Sequence, residues 1–408
     1  MTCNFDEIVE RRNTNAVNTD GYRGSILRLE PGETLPWSDD DIVRMWVADM
    51  EFAVAPEICE AIRARLDRRI FGYTGMYDGG YVRALRQWCR ELYGWDFREE
   101  ELCCTPGVVY ALKQLVEDLV PQGGKVLTMT PAYSQFLQAC EYSGVELLRS
   151  PLRRDGTGRF IIDFADFERK AADPDTKLLL LCNPHNPTGR VWTEAELREI
   201  ARISCEYGLW IVSDEIHCDL LRSGLRHIPM GRILPDYDKL VTCMSASKTF
   251  NIAGLLLSAV LIRDEAERKH FKARAKACGM LNPLSLAAHQ AAYEQGGEWL
   301  RQLKVYLDGN FALLERFLAD ELPEAVFSVP EATYLAWVDL RACLPDVRDL
   351  PDFFAKKAGV ILEGGNAFFV DDAEGFVRLN LAMPRAVVEK GLRRMRDAIY
   401  AHRRGEDK

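Results

Sequence analysis

Five short apolar runs, separated by segments with helical periodicity, occupy the middle of the chain. Runs of this length are typical of strands buried on both faces, as in a parallel sheet covered by helices. One intervening helix is predicted to begin at Thr193, which forms a capping box with Glu196, and to end near Gly208. The pattern therefore predicts an α/β fold with a mostly parallel sheet. The predicted strands are 126–129, 178–182, 209–212, 240–244 and 257–262.

The pattern changes near residue 290. Before the sheet, isoleucine or leucine recurs every four residues from Ile58 to Ile70, which predicts a helix with one apolar face. After residue 290 come a long helical stretch, alternating strand-like segments and an amphipathic helix that carries Val388 and Ile399. We therefore predict a large α/β domain at 51–289 and a smaller α+β domain that combines 1–50 with 290–408. The strand-like segments are 326–329, 334–338, 360–362 and 376–381.

Composition excludes several classes of protein. The 408 residues carry a formal net charge of −10, so neither nucleic acid nor a membrane surface is an expected partner. The 12 cysteines contain no Cys-x-x-Cys pair, which is typical of a reducing compartment and predicts neither a disulfide framework nor a metal site. The amino terminus lacks the apolar core of a signal peptide, and the run 253–262 is far shorter than the roughly 20 residues that span a bilayer. We expect a cytoplasmic protein.

Four polar clusters directly follow predicted strands. In an open parallel sheet, ligands bind in the crevice outside the carboxyl ends of the strands. The four clusters are therefore expected to line one shared site. They are Pro131-Ala132-Tyr133, Asn183-Pro184-His185-Asn186-Pro187-Thr188-Gly189, Ser213-Asp214-Glu215-Ile216-His217 and Ser245-Ala246-Ser247-Lys248.

Lys248 is the residue with the most specific chemistry. It follows a buried predicted strand and has small hydroxyl residues on both sides. A lysine in this position can form an imine with the aldehyde of pyridoxal phosphate, and hydroxyl neighbours can bind the phosphate. A helix predicted after Pro106-Gly107 supplies further phosphate donors, because the first amides of a helix, here those of Val108 and Val109, are free to bind an anion.

The order of Asn-Pro-x-Asn-Pro-Thr-Gly, Ser-Asp-Glu-Ile-His and Ser-x-Ser-Lys resembles that of fold-type I pyridoxal-phosphate enzymes of the class I/II aminotransferase superfamily. Within it, the chain is similar to the carbon–sulfur lyase branch, the MalY/PatB cystathionine β-lyase family. The likeness runs from about Phe5 to Arg396. It implies an aspartate aminotransferase-like fold with a seven-stranded sheet, pyridoxal 5'-phosphate as cofactor, an amino-acid substrate and a homodimer. Other segments that carry it are 46–52, 71–73, 130–133 and 378–380.

The resemblance also implies roles around the cofactor ring. Lys248 would carry the cofactor and then act as general base at the substrate Cα. Asp214 would pair with the protonated pyridine nitrogen and keep the ring electron-withdrawing. Asn186 and His217 would flank the phenolate oxygen, and Tyr133 would stack on the ring. A structural histidine at 217 and an ordinary core aromatic at 133 stay open as alternatives.

Outside the ring, the resemblance implies that Ser245 joins the amides of Val108 and Val109 on the phosphate. Tyr73 resembles a tyrosine that reaches across from the second subunit, with an ordinary loop aromatic as the alternative. Arg378 resembles the arginine that grips the substrate α-carboxylate, with a surface arginine as the alternative. Two further residues are expected to contact the substrate. They are Asn183 and Ala48.

One difference from the wider superfamily bears on the reaction. Many relatives place a phosphate-binding arginine eight residues after the lysine, where this chain has Leu256. The lyase branch commonly lacks that arginine, so the difference favours a lyase and leaves open which group balances the phosphate charge. We hypothesise β-elimination from L-cystathionine or a related cysteine S-conjugate, which yields a thiol, pyruvate and ammonia. An aminotransferase that uses the same site is the nearest alternative.

Two more distant alternatives are testable. Ser245-x-x-Lys248 matches the nucleophile motif of β-lactamases and penicillin-binding proteins, but the accompanying Ser-Asp-Asn and Lys-Thr-Gly strings are absent from the sequence. A regulator that binds the cofactor and turns over no amino acid is the other, since a fold does not dictate a function.

Overall fold

The computed structural model describes residues 2–30, 32–156 and 158–406. Its centre is a seven-stranded sheet in which one strand, Ser258–Ile262, runs antiparallel to its two neighbours and the others share one direction. This confirms the predicted α/β fold. In spatial order the strands are Leu102–Thr105, Ser258–Ile262, Leu240–Met244, Trp210–Asp214, Thr176–Cys182, Lys125–Thr130 and Glu146–Pro151.

All five predicted strands lie in this sheet, with ends no more than two residues from the prediction. The two edge strands lack the apolar run that would predict them. Leu102–Thr105 has only four residues, and Glu146–Pro151, at the other edge, leaves Glu146, Arg149 and Pro151 exposed. Edge strands are therefore less visible in a sequence than strands buried on both faces.

Helices cover both faces of the sheet. In strand Thr176–Cys182, Leu178 and Leu180 pack into the core on one face, whereas Leu179 and Leu181 pack into the core on the other. Successive side chains of a strand point to opposite faces, so a run of four leucines is needed to fill both cores. The helices are Val108–Leu119, Ser134–Ser143 and Glu265–Ala275 on the first face, and Phe164–Ala171 and Glu194–Glu206 on the second.

The helix Glu194–Glu206 has the predicted ends. Thr193 Oγ1 accepts a hydrogen bond from the Glu196 amide at 3.2 Å, and the Glu196 carboxylate accepts one from the Thr193 amide at 2.8 Å. These reciprocal bonds satisfy two amides that a helix otherwise leaves free. The chain leaves the helix through Gly208, at φ +66°. The capping-box prediction is confirmed.

The predicted helix that contains Ile58 is shorter than its apolar repeat. It spans Pro56–Leu66, and Ile70 lies beyond its end with 71% of its surface exposed. Arg69 adopts φ +57°, which a continuing right-handed helix does not allow. The extension of this helix to Ile70 was therefore wrong, because a four-residue repeat does not show where the backbone turns.

The carboxy-terminal part contains the long helix Gly297–Glu321 and ends in helix Arg385–Arg403. Strand Phe376–Asn380 pairs antiparallel with Leu335–Asp339 and Glu363–Gly364, and Val43–Arg44 pairs parallel with Val360–Ile361. The predicted strand at 326–329 was wrong. Among the described residues there, Val326 makes an isolated bridge to Asp339 and the segment forms no strand.

The remaining long helices are Gly80–Tyr93, Pro283–Gln295 and Leu350–Ala358. The amino-terminal residues contact both halves of the chain. Met50 and Phe52 pack with residues of helix Gly297–Glu321, and Met45 packs against Leu392 of the last helix. The domain boundaries at 51 and 289 stay a prediction. In the part of the chain described, no helix combines the length and apolarity needed to cross a membrane.

Candidate active site

The polar clusters meet at one edge of the sheet, as the parallel strand order requires. They surround a cavity of about 240 Å³. Of the predicted site residues, nine line it directly, whereas Ser245, Asn183 and Tyr73 do not belong to its wall in the described chain. The nine are Ala48, Val108, Val109, Tyr133, Asn186, Asp214, His217, Lys248 and Arg378.

Lys248 lies on a one-turn helix, Ala246–Thr249, that follows the strand Leu240–Met244. Its Nζ donates a hydrogen bond to the carbonyl oxygen of Ala48 at 2.6 Å. Burial lowers the pKa of the Lys248 ammonium, and nearby Asp49 opposes that shift. A lysine with a lowered pKa holds more of the neutral amine, the form that acts as a nucleophile and base.

Asp214 is the last residue of strand Trp210–Asp214, so its side chain projects from the sheet edge into the cavity. Its Oδ1 accepts a hydrogen bond from the Ile216 amide at 3.2 Å, and among the described side chains it has no ion-pair partner. Burial raises the pKa of Asp214 to about 7, and the neighbouring Glu215 adds to the rise. A buried carboxyl without a cation is poised to pair with one that enters the cavity.

Glu215, which follows Asp214, points away from the cavity and is fully buried. Its Oε1 accepts hydrogen bonds from Ser213 Oγ and the Met230 amide, both at 2.9 Å, and its Oε2 lies 2.7 Å from His227 Nε2. These bonds anchor the turn after the strand. The two adjacent acids therefore differ in role, since Glu215 is satisfied internally and Asp214 faces the cavity.

Asn186 and Arg378 meet on the opposite wall. Arg378 Nη1 donates a hydrogen bond to Asn186 Oδ1 at 3.2 Å, so the Asn186 amide nitrogen, a donor, is left for a ligand oxygen. Arg378 is 2% exposed and lies over the ring of Phe369, with 5.1 Å between the guanidinium carbon and the ring centroid. The guanidinium is thus buried and held in place within the cavity wall.

Arg378 also has a partner that sequence reasoning missed. Its Nη2 donates a hydrogen bond to the carboxylate of Glu363, the residue directly opposite it in the pairing of strands Glu363–Gly364 and Phe376–Asn380. Glu363 lines the same cavity. Burial raises the pKa of the Glu363 carboxyl, whereas the charges of Arg378 and Lys248 oppose the rise. A charged residue after the apolar triplet Val360-Ile361-Leu362 was the available signal.

His217 and Tyr133 complete the polar wall. Burial lowers the pKa of His217 to about 3, so the imidazole is neutral near pH 7, and its Nδ1 has no hydrogen-bond partner in the described structure. Burial raises the pKa of Tyr133 to about 12, so its hydroxyl keeps its proton. The His217 Nδ1 nitrogen, on a residue that lines the cavity, is available to hydrogen-bond a ligand.

The helix Val108–Leu119 begins at the cavity. No side chain among the described residues caps it, and a methyl group added at Gly107 would meet no atom within 4 Å, so the first amides face open space. Leu256 lies at the cavity wall with 63% of its surface exposed. Among the described lining residues, the only cations are Lys248 and Arg378, so helix amides are the anion site that remains.

Three predicted site residues are placed differently. Ser245 Oγ donates to the Leu257 carbonyl at 2.8 Å and accepts from the Ser247 amide at 3.1 Å, so it caps the Lys248 helix, and Ser247 lines the cavity instead. The Asn183 amide donates to the Ile228 carbonyl at 3.0 Å, behind the wall. The roles predicted for Ser245 and Asn183 are therefore not supported, because their donors are engaged elsewhere. Tyr73 is 94% exposed.

Two asparagines hold the segment that carries Ala48. Asn380 Nδ2 donates to the carbonyls of Val47 and Asp49 at 2.9 and 2.6 Å. Asn251, three residues after Lys248, donates to the carbonyls of Met50 and Phe52, both at 3.0 Å, and accepts from the Met50 amide. The predicted site residues did not include Asn251. Its φ of +58° fits the left-handed conformation that asparagine tolerates best among residues other than glycine.

These side chains and amides offer groups that fit the charges and hydrogen-bonding atoms of pyridoxal phosphate. Asp214 offers an anion for a pyridinium nitrogen, Asn186 offers a donor for a phenolate, and the helix amides of Val108 and Val109 offer a phosphate site. Lys248 offers an amine for the aldehyde.

Fold and site together define an α/β enzyme whose chemistry centres on a buried lysine and a buried acid at the carboxyl edge of a parallel sheet. The family model described as aminotransferase class I and II matches residues 40–395. The chain belongs to this aminotransferase class I and II family.

Two curated relatives and two solved structures match most of the chain. The chain is 39% identical to cystathionine beta-lyase PatB of Bacillus subtilis, over 97% of this chain and all of the relative, and 33% identical to protein MalY of Escherichia coli, over 89% and 93%. The PLP-bound C-S lyase of Staphylococcus hominis is 44% identical, with a TM-score of 0.92 over 98% of both chains. Cystalysin of Treponema denticola, which contains pyridoxal 5'-phosphate, has a TM-score of 0.90 at 30% identity over 98% and 100%.

Proposed function

We propose that the protein is a pyridoxal-phosphate-dependent carbon–sulfur β-lyase. It cleaves L-cystathionine or a related cysteine S-conjugate and consumes one water to give a thiol, pyruvate and ammonia. The observation that carries the proposal is the meeting of Lys248 with the unpaired, buried Asp214 in one cavity. The relatives that match over nearly the whole chain, named as cystathionine β-lyases and a C-S lyase, support the reaction.

Bound pyridoxal phosphate supplies an electron-withdrawing ring that makes the substrate Cα proton removable. Asp214 keeps a proton at the ring nitrogen, because its carboxylate is stabilised when a cation faces it. Asn186 donates to the ring oxygen, and the first amides of helix Val108–Leu119 bind the phosphate.

Lys248 does the proton transfer. Burial lowers its pKa and so raises the fraction of neutral amine, and that amine takes the proton from Cα. Arg378 binds the α-carboxylate and so orients the bond that breaks. Once the Cα proton is gone, the thiolate leaves from Cβ.

We further propose a homodimer in which Tyr73 reaches the site of the second subunit. Tyr73 and its neighbours form an exposed apolar patch, in which Ile70 is 71%, Phe71 55% and Tyr77 89% exposed. Patches of this kind on a folded chain usually meet a partner. Size-exclusion chromatography with light scattering tests the dimer. Mixed dimers of one Tyr73→Phe chain and one Lys248→Ala chain test whether Tyr73 acts across the interface. If it does, one of the two sites keeps both Tyr73 and Lys248, and the other site loses both.

A cytoplasmic location is also proposed. Every cysteine whose side chain the structure describes is a free thiol, as expected in a reducing compartment. Labelling of these thiols in protein taken directly from cells would check it.

An aminotransferase is the second candidate, favoured by the matching family model. Both reactions remove the Cα proton, and they differ in whether Cβ carries a leaving group. The deciding experiment records the absorption spectrum of the purified protein with L-cystathionine and assays pyruvate and free thiol together. Equal release of the two establishes the lyase. Stoichiometric transfer of the amino group to a keto acid, without thiol release, establishes the aminotransferase.

A further inference from the structure

The carboxylate of Glu363 pairs with the guanidinium of Arg378, which the proposed reaction needs to bind the substrate α-carboxylate. The two strands that carry Glu363 and Arg378 place these residues directly opposite each other, and the carboxylate accepts a hydrogen bond from Arg378 Nη2. The side chains are 15% and 2% exposed, so the pair is largely removed from water. Arg378 Nη1 is used by Asn186 as well. A substrate α-carboxylate that approaches Arg378 therefore meets a cation that already has an anion.

An α-carboxylate that binds Arg378 Nη2 takes the donor that Glu363 uses and leaves the Glu363 charge without its partner. A buried carboxylate that loses its cation is strongly unfavourable, so it must gain a new partner, accept a proton or be repelled by the incoming anion. The cationic side chains that influence Glu363 are Arg378 and Lys248, and Lys248 is occupied by the reaction itself. The group free to compensate Glu363 is then the substrate.

We propose that Glu363 is a specificity-determining residue that selects substrates by the charge on the half that leaves as the thiol. A cationic group there pairs with the carboxylate displaced from Arg378, a neutral group leaves it uncompensated, and an anionic group is repelled. This inference rests on the proposed function for its substrate, but the charge preference of the cavity does not depend on turnover.

A matched series of cysteine S-conjugates tests the preference in catalysis. S-aminoethyl-L-cysteine, S-ethyl-L-cysteine and S-carboxymethyl-L-cysteine differ mainly in the charge of the leaving half. For the wild-type holoenzyme, kcat/KM for pyruvate release is expected to fall in that order, by about tenfold from the cationic to the neutral substrate, the ratio that one charge-assisted hydrogen bond supplies. In Glu363→Gln, whose amide oxygen can still accept from Arg378, the three values are expected to converge. Convergence of the three kcat/KM values supports the proposal, whether the common value lies above or below that of the wild type.

A second series needs no turnover. Hexanoate, ε-aminohexanoate and adipate carry one carboxylate for Arg378 and a neutral, cationic or anionic far end. Calorimetric titration of the wild-type holoenzyme is expected to show tightest binding for ε-aminohexanoate and weakest for adipate, and Glu363→Gln is expected to lose that order. If the binding order holds while no conjugate releases pyruvate, the Glu363 assignment stands and the lyase assignment fails.

Glu374→Gln is the matched control, because it removes the same charge from the same segment, four residues before Arg378, at an exposed position. It is expected to keep the wild-type order in both series. The proposal is overturned if Glu363→Gln keeps that order, if the wild-type protein does not discriminate among the ligands, or if none of the three carboxylates binds.

Discussion

Lys248 donates a hydrogen bond to the carbonyl oxygen of Ala48 at 2.6 Å, although the two residues are 200 positions apart in the sequence. The bond joins the turn after a central strand to the amino-terminal segment, which Asn251 and Asn380 hold in place. The amine is thus positioned by backbone before any ligand enters. Preorganisation of this kind lets a site act without rearranging its reactive group.

Replacement of this lysine tests the centre of the site. Lys248→Ala is expected to abolish pyruvate release and to prevent covalent attachment of pyridoxal phosphate, because no other amine lines the cavity in the described chain. Borohydride reduction followed by mass spectrometry of the denatured chain measures the attachment. Lys239→Ala, at an exposed position, is the control and should be labelled like the wild type. Retained labelling in Lys248→Ala would contradict the assignment.

The charge of Asp214 is testable separately from its shape. Asp214→Asn keeps the size of the side chain but removes the anion that faces the ring nitrogen, so kcat is expected to fall by about a hundredfold or more. The apoprotein should still fold, because the carboxyl has no ion-pair partner in the described structure to lose. Steady-state kinetics and circular dichroism measure the two effects. Asp238→Asn, which is exposed, serves as the control, and equal activity of the two variants would count against the role.

Gly189 ends the Asn-Pro-His-Asn-Pro-Thr-Gly cluster at φ +68°. A Cβ there would lie 2.3 Å from Pro330 Cβ and 3.0 Å from the Ala332 carbonyl oxygen. Gly189→Ala is therefore expected to lower the free energy of unfolding by about 2–4 kcal/mol. The positive φ is strained for alanine, and the added methyl group would also clash with Pro330 and the Ala332 carbonyl. Gly254→Ala has no atom within 4 Å of the added group and should be close to neutral. Urea denaturation of both variants checks this, and similar midpoints would refute the packing argument.

His289 predicts a pH dependence of stability. Burial lowers its pKa to about 3 from 6.5, so between these values the unfolded chain binds a proton that the folded chain does not. Its contribution to the free energy of unfolding therefore falls as the pH drops below 6.5, by up to about 1.4 kcal/mol per pH unit. His289→Leu removes this dependence.

The measurement is urea unfolding of the wild type and His289→Leu at several pH values. As the pH falls below 6.5, the unfolding free energy of the wild type is expected to decrease relative to that of His289→Leu. Well above pH 6.5, His289 is neutral in both the folded and the unfolded wild-type chain. The difference in unfolding free energy between wild type and variant should therefore be constant there, and it serves as the baseline. A difference that does not change with pH would show that His289 is not buried in its neutral form.

Much of the fold was readable in the sequence because its signals are local. The four leucines from 178 to 181 can satisfy two cores only as a strand covered on both faces, and the Thr193–Glu196 capping box needs just one helical turn. The edge strand Glu146–Pro151 was less visible, since an edge needs no continuous apolar run. The segment 326–329 has strand-like composition, but a strand also needs a partner with a free edge.

The site shows the same division. The sequence by itself determined which polar clusters follow parallel strands, and hence that Lys248, Asp214 and Asn186 face one edge of the sheet. Only the tertiary structure decided where each hydrogen-bonding group is used. It turned the Ser245 hydroxyl to Leu257, placed Asn183 behind the wall, and set Glu363 against Arg378. Such pairings join residues from distant parts of the chain, and their geometry exists only after the elements pack, so no local pattern in the sequence encodes them.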